Sequence, residues 1–305
     1  VKAFVAVTDG DWFRFLSSLP DVDEANFWQP SGGRAFRSLT AGEPLLFKLH
    51  APENAIVGGG FFVRHTTLPA NLAWDAFGQK NGAATFDEMI ARISRYVRKP
   101  VGPDHVVGCI VLAQPFFWTE DRWLPQPSDW SANIVTGKGY DLTRPPVGTR
   151  LWEEVQFRLL TENLEFEEEP GTPIFGEPRP VRPRLGQGAF RILVTDAYDR
   201  RCVITGEKIL PVLEAAHIKP VTQGGLHRVQ NGLLLRSDFH TLFDQGYLTV
   251  SPDHHVRVSR GLRDTFHNGA YYYGFDGLEI RGPVSEHDQP ERELLEWHSD
   301  TVFRS

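Results

Sequence analysis

Leu213-Glu214-Ala215-Ala216-His217-Ile218-Lys219-Pro220, then Asn231-Gly232-Leu233-Leu234-Leu235, then His240-Thr241-Leu242-Phe243-Asp244, is the stretch that organises the reading of this chain. The first segment predicts a short strand ending at His217. A long loop follows through Gly224-Gly225, and a helix from about Ser237 to Phe243 closes the set. On that helix His240 and Asp244 stand at i and i+4, so their side chains share one face. Glu214 lies two residues before Ala216, on the same strand face. Upstream, residues 188–198 predict an amphipathic helix, and residues 202–214 a hairpin turning near Gly206.

Outward from that stretch, the clearest break is Glu167-Glu168-Glu169-Pro170-Gly171-Thr172-Pro173, continuing through Gly176-Glu177-Pro178-Arg179-Pro180-Val181-Arg182-Pro183. Prolines and acidic residues followed by arginines build no core, so residues 166–183 read as a semi-rigid linker. It separates residues 1–165 from residues 184–305. The whole chain has 305 residues, 41% of them hydrophobic and 23% charged, which is the composition of folded domains rather than of a disordered polymer. A net charge of −7 argues against passive coating of a polyanion, though not against a local basic groove.

Cys109 and Cys202 are the only cysteines. A four-cysteine zinc knuckle and a disulfide framework are both excluded, and a reducing cytoplasm is the expected compartment. The opening Val1-Lys2-Ala3-Phe4-Val5-Ala6-Val7 reads as a strand rather than a signal peptide. No apolar run is long enough to span a bilayer, so no membrane partner is expected.

The order and spacing of the 213–244 segments resemble the HNH endonuclease family, in particular its bacterial branch with the pattern AHI, NGLLL, then H and FD. The preceding Tyr198-Asp199-Arg200-Arg201-Cys202-Val203-Ile204-Thr205-Gly206-Glu207 fits the same branch, and the resemblance covers roughly residues 188–250. It implies a ββα-metal fold and hydrolysis of a phosphodiester. That chemistry needs an activated water, neutralised phosphate charge and a stabilised leaving oxygen. The resemblance makes His217 the general base, His240 and Asp244 the metal ligands, and Asn231 the brace of the intervening loop. Many members carry an aspartate before the base; here that position is Ala216, and Glu214 is the nearest carboxylate to compensate. The donor set suits Mg²⁺ or Mn²⁺ and accepts Ni²⁺ or Zn²⁺. Arg200, Arg201, Lys208, Lys219, Arg228 and Arg236 surround the motif in sequence, and Arg200, Arg201 and Lys219 are taken as phosphate contacts. His227, His254, His255, His267, His287 and His298 lack such a setting and read as surface or packing residues.

Residues 1–165 predict a mixed α+β domain. Strands are expected at 4–7, 45–49, 55–64 and 106–112, with helices at 11–16 and, after the capping pattern Thr85-Phe86-Asp87-Glu88, at 89–97. The run Gly42-Glu43-Pro44-Leu45-Leu46-Phe47-Lys48, followed by Ile56-Val57-Gly58-Gly59-Gly60-Phe61, resembles the PUA-like superfamily, which includes the EVE, ASCH and SRA domains. The expected fold is therefore a β-barrel or curved sheet, with several members of that superfamily reading modified bases. A flipped base needs aromatic faces and hydrogen-bond partners. Asn26, Trp28 and Gln29, and the 130–140 loop with Trp130, Lys138 and Tyr140, are the candidates; Trp74, Trp118 and Trp123 are further aromatics.

Together these readings describe a modification-dependent restriction endonuclease. The partner is DNA carrying a modified cytosine, and a homodimer or two bound copies would cut both strands. The alternatives are an HNH nuclease acting on unmodified DNA or RNA, and a non-catalytic binding protein with a degenerate HNH fold.

Overall fold

The computed structural model describes residues 1–33, 35–160, 180 and 184–304. Apart from Pro180, the expected linker from Glu167 to Pro183 lies outside the described residues. The described chain divides into two compact units, Val1–Ala189 and Phe190–Ser305.

In the first unit, alternating apolar residues build one curved sheet. Its strands are β1 (Lys2–Thr8), β2 (Glu24–Gln29), β3 (Pro44–Leu49), β4 (Ala55–Pro69), β5 (Val106–Phe117), β6 (Leu124–Pro125) and β7 (Gly137–Asp141). The order is β2-β5-β4-β3-β1-β7, with β6 on β4. Only β1 and β3 run parallel. The ends of that order, β2 and β7, do not pair, so the sheet is curved and open rather than a closed barrel. Curvature comes from bulges in β4 opposite β5, between Gly59 and Phe61 and between Phe62 and Arg64. Gly58 and Gly59 permit it. A Cβ at Gly58 would sit 2.2 Å from the Phe116 carbonyl oxygen, and one at Gly59 2.7 Å from that of Leu45.

The period of two sends neighbours to opposite cores. Val5 packs with Phe61, Phe116, Trp118 and Trp152, while Ala6 packs with Trp12, Phe13, Phe47 and Leu112. Helix α1 (Gly10–Ser17) supplies Trp12, Phe13 and Leu16, and its first turn is capped by Asp9 Oδ1 accepting from Asp11 N and Trp12 N. Helix α2 (Ala70–Phe77) follows β4 directly. Helix α3 (Phe86–Val97) starts on Thr85, whose hydroxyl accepts from Glu88 N. Helix α4 (Val147–Leu160) carries Leu151, Trp152 and Val155 into the core that contains Val5.

From Phe190 onward, helix α5 (Gln187–Ala197) packs Phe190 and Val194 into the core of the second unit. Strands β8 (Leu213–His217) and β9 (Gly232–Arg236) form an antiparallel pair, and helix α6 (Ser237–Asp244) follows without a break. This is a ββα unit. A second pair, β10 (Leu248–Val250) and β11 (Val256–Val258), comes next, then α7 (Gly261–Phe266), α8 (Ala270–Tyr273) and α9 (Arg292–Thr301). The hairpin expected over 202–214 is absent. Its apolar residues Cys202 and Val203 are buried from an irregular segment, in which Gly206 N turns back onto Cys202 O and Val203 N donates to Leu234 O. The true partner of the His217 strand is β9, inside the stretch read from sequence as motif and loop.

Gly232 faces His217 in the register of that pair. A Cβ there would lie 2.4 Å from Val194 Cγ2, so its bare backbone lets α5 close onto the hairpin. The Asn-Gly dipeptide therefore serves close packing here rather than a turn.

Candidate active site

Asn231 is fully buried, and its side chain ties the loop that joins β8 to β9. Its Oδ1 accepts from Lys219 N at 2.9 Å, and its Nδ2 donates to Lys219 O at 2.9 Å and Leu226 O at 3.0 Å. Backbone bonds add to the tie: Ile218 N donates to Asn231 O at 2.9 Å, and Gly225 N to Pro220 O at 3.0 Å. Each polar end of the amide is thereby used, as a buried amide requires.

His217 stands at the end of β8 with its ring stacked on Phe190, centroids 3.9 Å apart and planes 11° from parallel. Its Nε2 lies 3.1 Å from Nδ1 of His227. Burial, with the charges of His227 and His240 adding to it, lowers the His217 pKa to about 4. The imidazole is neutral at neutral pH and able to accept a proton. His227, which the sequence gives no setting beyond surface or packing, lies against the His217 ring.

His240 faces a carboxylate at each ring nitrogen, hydrogen-bonding to one of them. Nδ1 lies 2.6 Å from Glu214 Oε2, and Nε2 lies 3.3 Å from Asp244 Oδ2, the expected i,i+4 pair. Partial burial raises the Asp244 pKa, opposed by His240 and reinforced by the Glu214 charge. Donors about 3 Å apart can share a divalent cation with bonds of about 2.1 Å. A carboxylate on the other ring nitrogen is the partner a ligating histidine commonly has. The His240–Asp244 edge therefore fits a cation, with Glu214 orienting the histidine rather than filling the place of the aspartate. Among the described residues no group of three or more His, Cys, Asp or Glu side chains forms a metal cluster, so this edge offers two protein donors. Ala216 is itself fully buried, paired with Leu233, where the core has taken the position.

The basic residues fare differently. Arg200 pairs with Asp196 at 3.6 Å, Arg201 with Asp199 at 3.1 Å, Arg228 with Glu291 at 3.1 Å and Arg236 with Asp238 at 2.7 Å. Arg200 and Arg201 are thus engaged with carboxylates of their own segment. Lys219 lies over the Trp297 ring, 5.5 Å from its centroid, and has no ion pair among the described residues.

In the first unit a cavity of about 350 Å³ opens between Trp12, Phe27, Trp28 and Tyr96, with Asp9, Gln29, Ser31, His50 and Thr136 as its polar lining. Trp28 Nε1 donates to Asn81 O, and Tyr96 OH donates to Asp9 Oδ2. Burial works against the Asp9 carboxylate, yet the bonds from Tyr96, Trp12 and Asp11 hold its pKa below the usual value. Trp12 Nε1 and Gln29 Oε1 are buried without a hydrogen-bond partner among the described residues. Of the candidates named from sequence, Trp28 and Gln29 line the cavity and four others do not. Asn26 is buried, donating to Asn81 Oδ1 at 2.8 Å. Trp130 packs at the edge of the core that contains Val5, beneath Lys48 Nζ. Lys138 and Tyr140 both bind Asp129, at 2.7 and 2.9 Å. Their loop reaches the cavity through Val135 and Thr136 instead.

The segment that brings His217, Asn231, His240 and Asp244 together is an HNH endonuclease domain: residues 202–251 match the family model described as HNH endonuclease. No curated protein sequence matches the chain. Among solved structures, the chain is similar to an ASCH protein from Zymomonas mobilis, at 13% identity and a TM-score of 0.32, over 52% of this chain and 94% of that one. It is also similar to a structure described as the modification-dependent TagI restriction endonuclease. That similarity is 14% identity with a TM-score of 0.28, over 93% of this chain and 77% of that one. No helix among the described residues is long and apolar enough to cross a membrane.

Proposed function

We propose that this protein is a modification-dependent endonuclease, in which the second unit hydrolyses DNA phosphodiesters and the first reads a modified base, methylated cytosine being the first candidate. The observation that carries the nuclease reading is the ββα placement of His217, Asn231 and the His240–Asp244 edge within the matched segment. Neutral His217 accepts a proton from the water that attacks phosphorus. Asn231 holds the loop against the strand end that carries this base. His240 and Asp244 would hold the divalent cation, Mg²⁺ or Mn²⁺ by preference, whose chemistry is to screen the phosphate and stabilise the departing oxygen. Lys219 and the exposed Lys208 are cations available to the DNA backbone.

The reading of the first unit is supported by the aromatic cavity. Its size falls in the ~300–1,000 Å³ range of small-molecule sites. Its polar lining, Asp9, Gln29, Ser31, His50 and Thr136, offers hydrogen-bonding groups for the edge of a flipped base. Since one such nuclease unit cuts one strand, a double-strand break takes two copies.

The test is cleavage of supercoiled plasmid with and without 5-methylcytosine, in Mg²⁺ or Mn²⁺, by wild type and His217→Ala. Cutting confined to methylated plasmid and abolished by the substitution is expected. Equal cutting of both plasmids would overturn the modified-base reading and leave a nuclease for unmodified DNA. Absence of any cutting that depends on His217 would leave a binding protein with a degenerate nuclease fold.

A further inference from the structure

We infer that His227 is a positioning residue for His217: its Nδ1 accepts a hydrogen bond from His217 Nε2–H, which leaves the Nδ1 lone pair of His217 as the catalytic base. This rests on the reading of His217 as the base and adds a residue and an atom to it. The nitrogens lie 3.1 Å apart, and the rings meet edge to face at 62°. A neutral imidazole carries one N–H and one lone pair, so the bond has two possible directions. If His227 donated, the Nε2 lone pair of His217 would be consumed and its Nδ1 would carry the hydrogen. No basic atom would remain. If His217 donates, Nδ1 stays bare, and among the described residues that nitrogen has no hydrogen-bond partner.

The surroundings hold this geometry. Phe190 covers the His217 ring face to face at 3.9 Å and also stands 5.7 Å from His227, which restrains both imidazoles. Asn231 fixes the Leu226 carbonyl, so the backbone entering His227 is set by the same amide that anchors Lys219, two residues after His217. When water attacks phosphorus, its oxygen forms the new P–O bond as the P–O bond to the leaving oxygen breaks. The water's proton goes to His217 Nδ1, and the departing oxygen takes a proton from solvent. The resulting imidazolium keeps its Nε2–H on the His227 lone pair, which stabilises the new positive charge. This is the part a second imidazole can play and a surface histidine cannot.

The decisive measurement needs no substrate: the ¹⁵N shifts of His217 in the full chain labelled at histidine. Wild type is expected to show Nε2 protonated and Nδ1 bare. His227→Ala is expected to lose that fixed tautomer, while His227→Asn, whose amide oxygen can stand where Nδ1 does, keeps it and guards against a folding defect. Nicking of methylated plasmid should fall roughly 10–100-fold in His227→Ala, the usual range for a lost orienting partner, and recover in His227→Asn. A protonated Nδ1 in wild type, or a tautomer unchanged in His227→Ala, overturns the inference. Full cleavage by His217→Ala would instead overturn the base reading beneath it, so the two failures are told apart.

Discussion

Asn231 and Lys219 are bonded in both directions, side-chain oxygen to backbone N–H and side-chain N–H to backbone carbonyl, each at 2.9 Å. Asn231→Ala leaves Lys219 N, Lys219 O and Leu226 O without that partner, and burial makes each loss costly. The expected destabilisation is roughly 2–4 kcal/mol in urea denaturation. Asn231→Asp should rescue little, because a carboxylate restores the acceptor but cannot donate to the carbonyls. Gly225→Ala should weaken the same tie, since its Cβ would lie 1.9 Å from Lys219 O.

Glu214 orients His240 from the nitrogen opposite Asp244. Its removal by Glu214→Ala is expected to weaken Mn²⁺ binding about 10–100-fold. Asp244→Ala, which takes away a direct donor, should weaken it further. Calorimetric titration of the full chain with Mn²⁺ reads both effects independently of cleavage; equal affinity in all three proteins would remove the metal from this edge.

Acid should destabilise the second unit through His298. This ring is 2% exposed, stacks on Phe243 at 3.7 Å, accepts from Thr249 Oγ1 and donates to Phe243 O. Burial lowers its pKa from 6.5 to about 4, so between those values the unfolded chain binds the proton and the folded one does not. Stability is therefore whole above about pH 6.5 and declines as pH falls toward 4, by about 3 kcal/mol in all. Urea denaturation across this window should show the slope, and His298→Gln should reduce it by roughly half, because His217 is lowered to about 4 as well and titrates in the same sense.

Trp28 lines the cavity, whereas Trp130 packs beneath Lys48 Nζ and does not. Trp28→Ala is expected to weaken binding of a methylated duplex by roughly 5–100-fold, the range of one lost base–aromatic stack, as read by fluorescence anisotropy. Trp130→Ala should cost stability through its packing and leave that affinity near wild type. The reverse pattern would place the base on the 130–140 loop.

Sequence patterning exposed those parts of the molecule that depend on local chemistry. The strands around Val5, Leu46 and Ile110 alternate or run apolar between turn residues, and the α3 start carries its own cap. His240 and Asp244 are joined by helical spacing alone. What stayed hidden required closure in three dimensions. Strand β9 is short and opens on a glycine, so its apolar run carried no period. The apolar residues at 202 and 203 mimicked a strand because they are buried from an irregular segment. His227 meets His217 only once Asn231 has folded the loop. Tyr140 and Asn26 carry the polar groups a recognition residue needs, but Tyr140 gives its hydroxyl to Asp129 and Asn26 its amide N–H to Asn81 inside the domain.

The Asn231 tie also decides where this chain can accept new sequence. Residues 221–224 form an exposed turn that the amide does not touch, with Gly225 N closing onto Pro220 O beneath it. A peptide tag or fluorophore site spliced into that tip lengthens only solvent-facing backbone, whose closure entropy grows slowly with length. A single residue inserted between Leu226 and Asn231 is another matter: it changes the spacing at which one side chain must reach both of its carbonyls. The loop thus behaves as a buckle with one free end, open to grafting at the tip and intolerant of any slack on the side that carries His227.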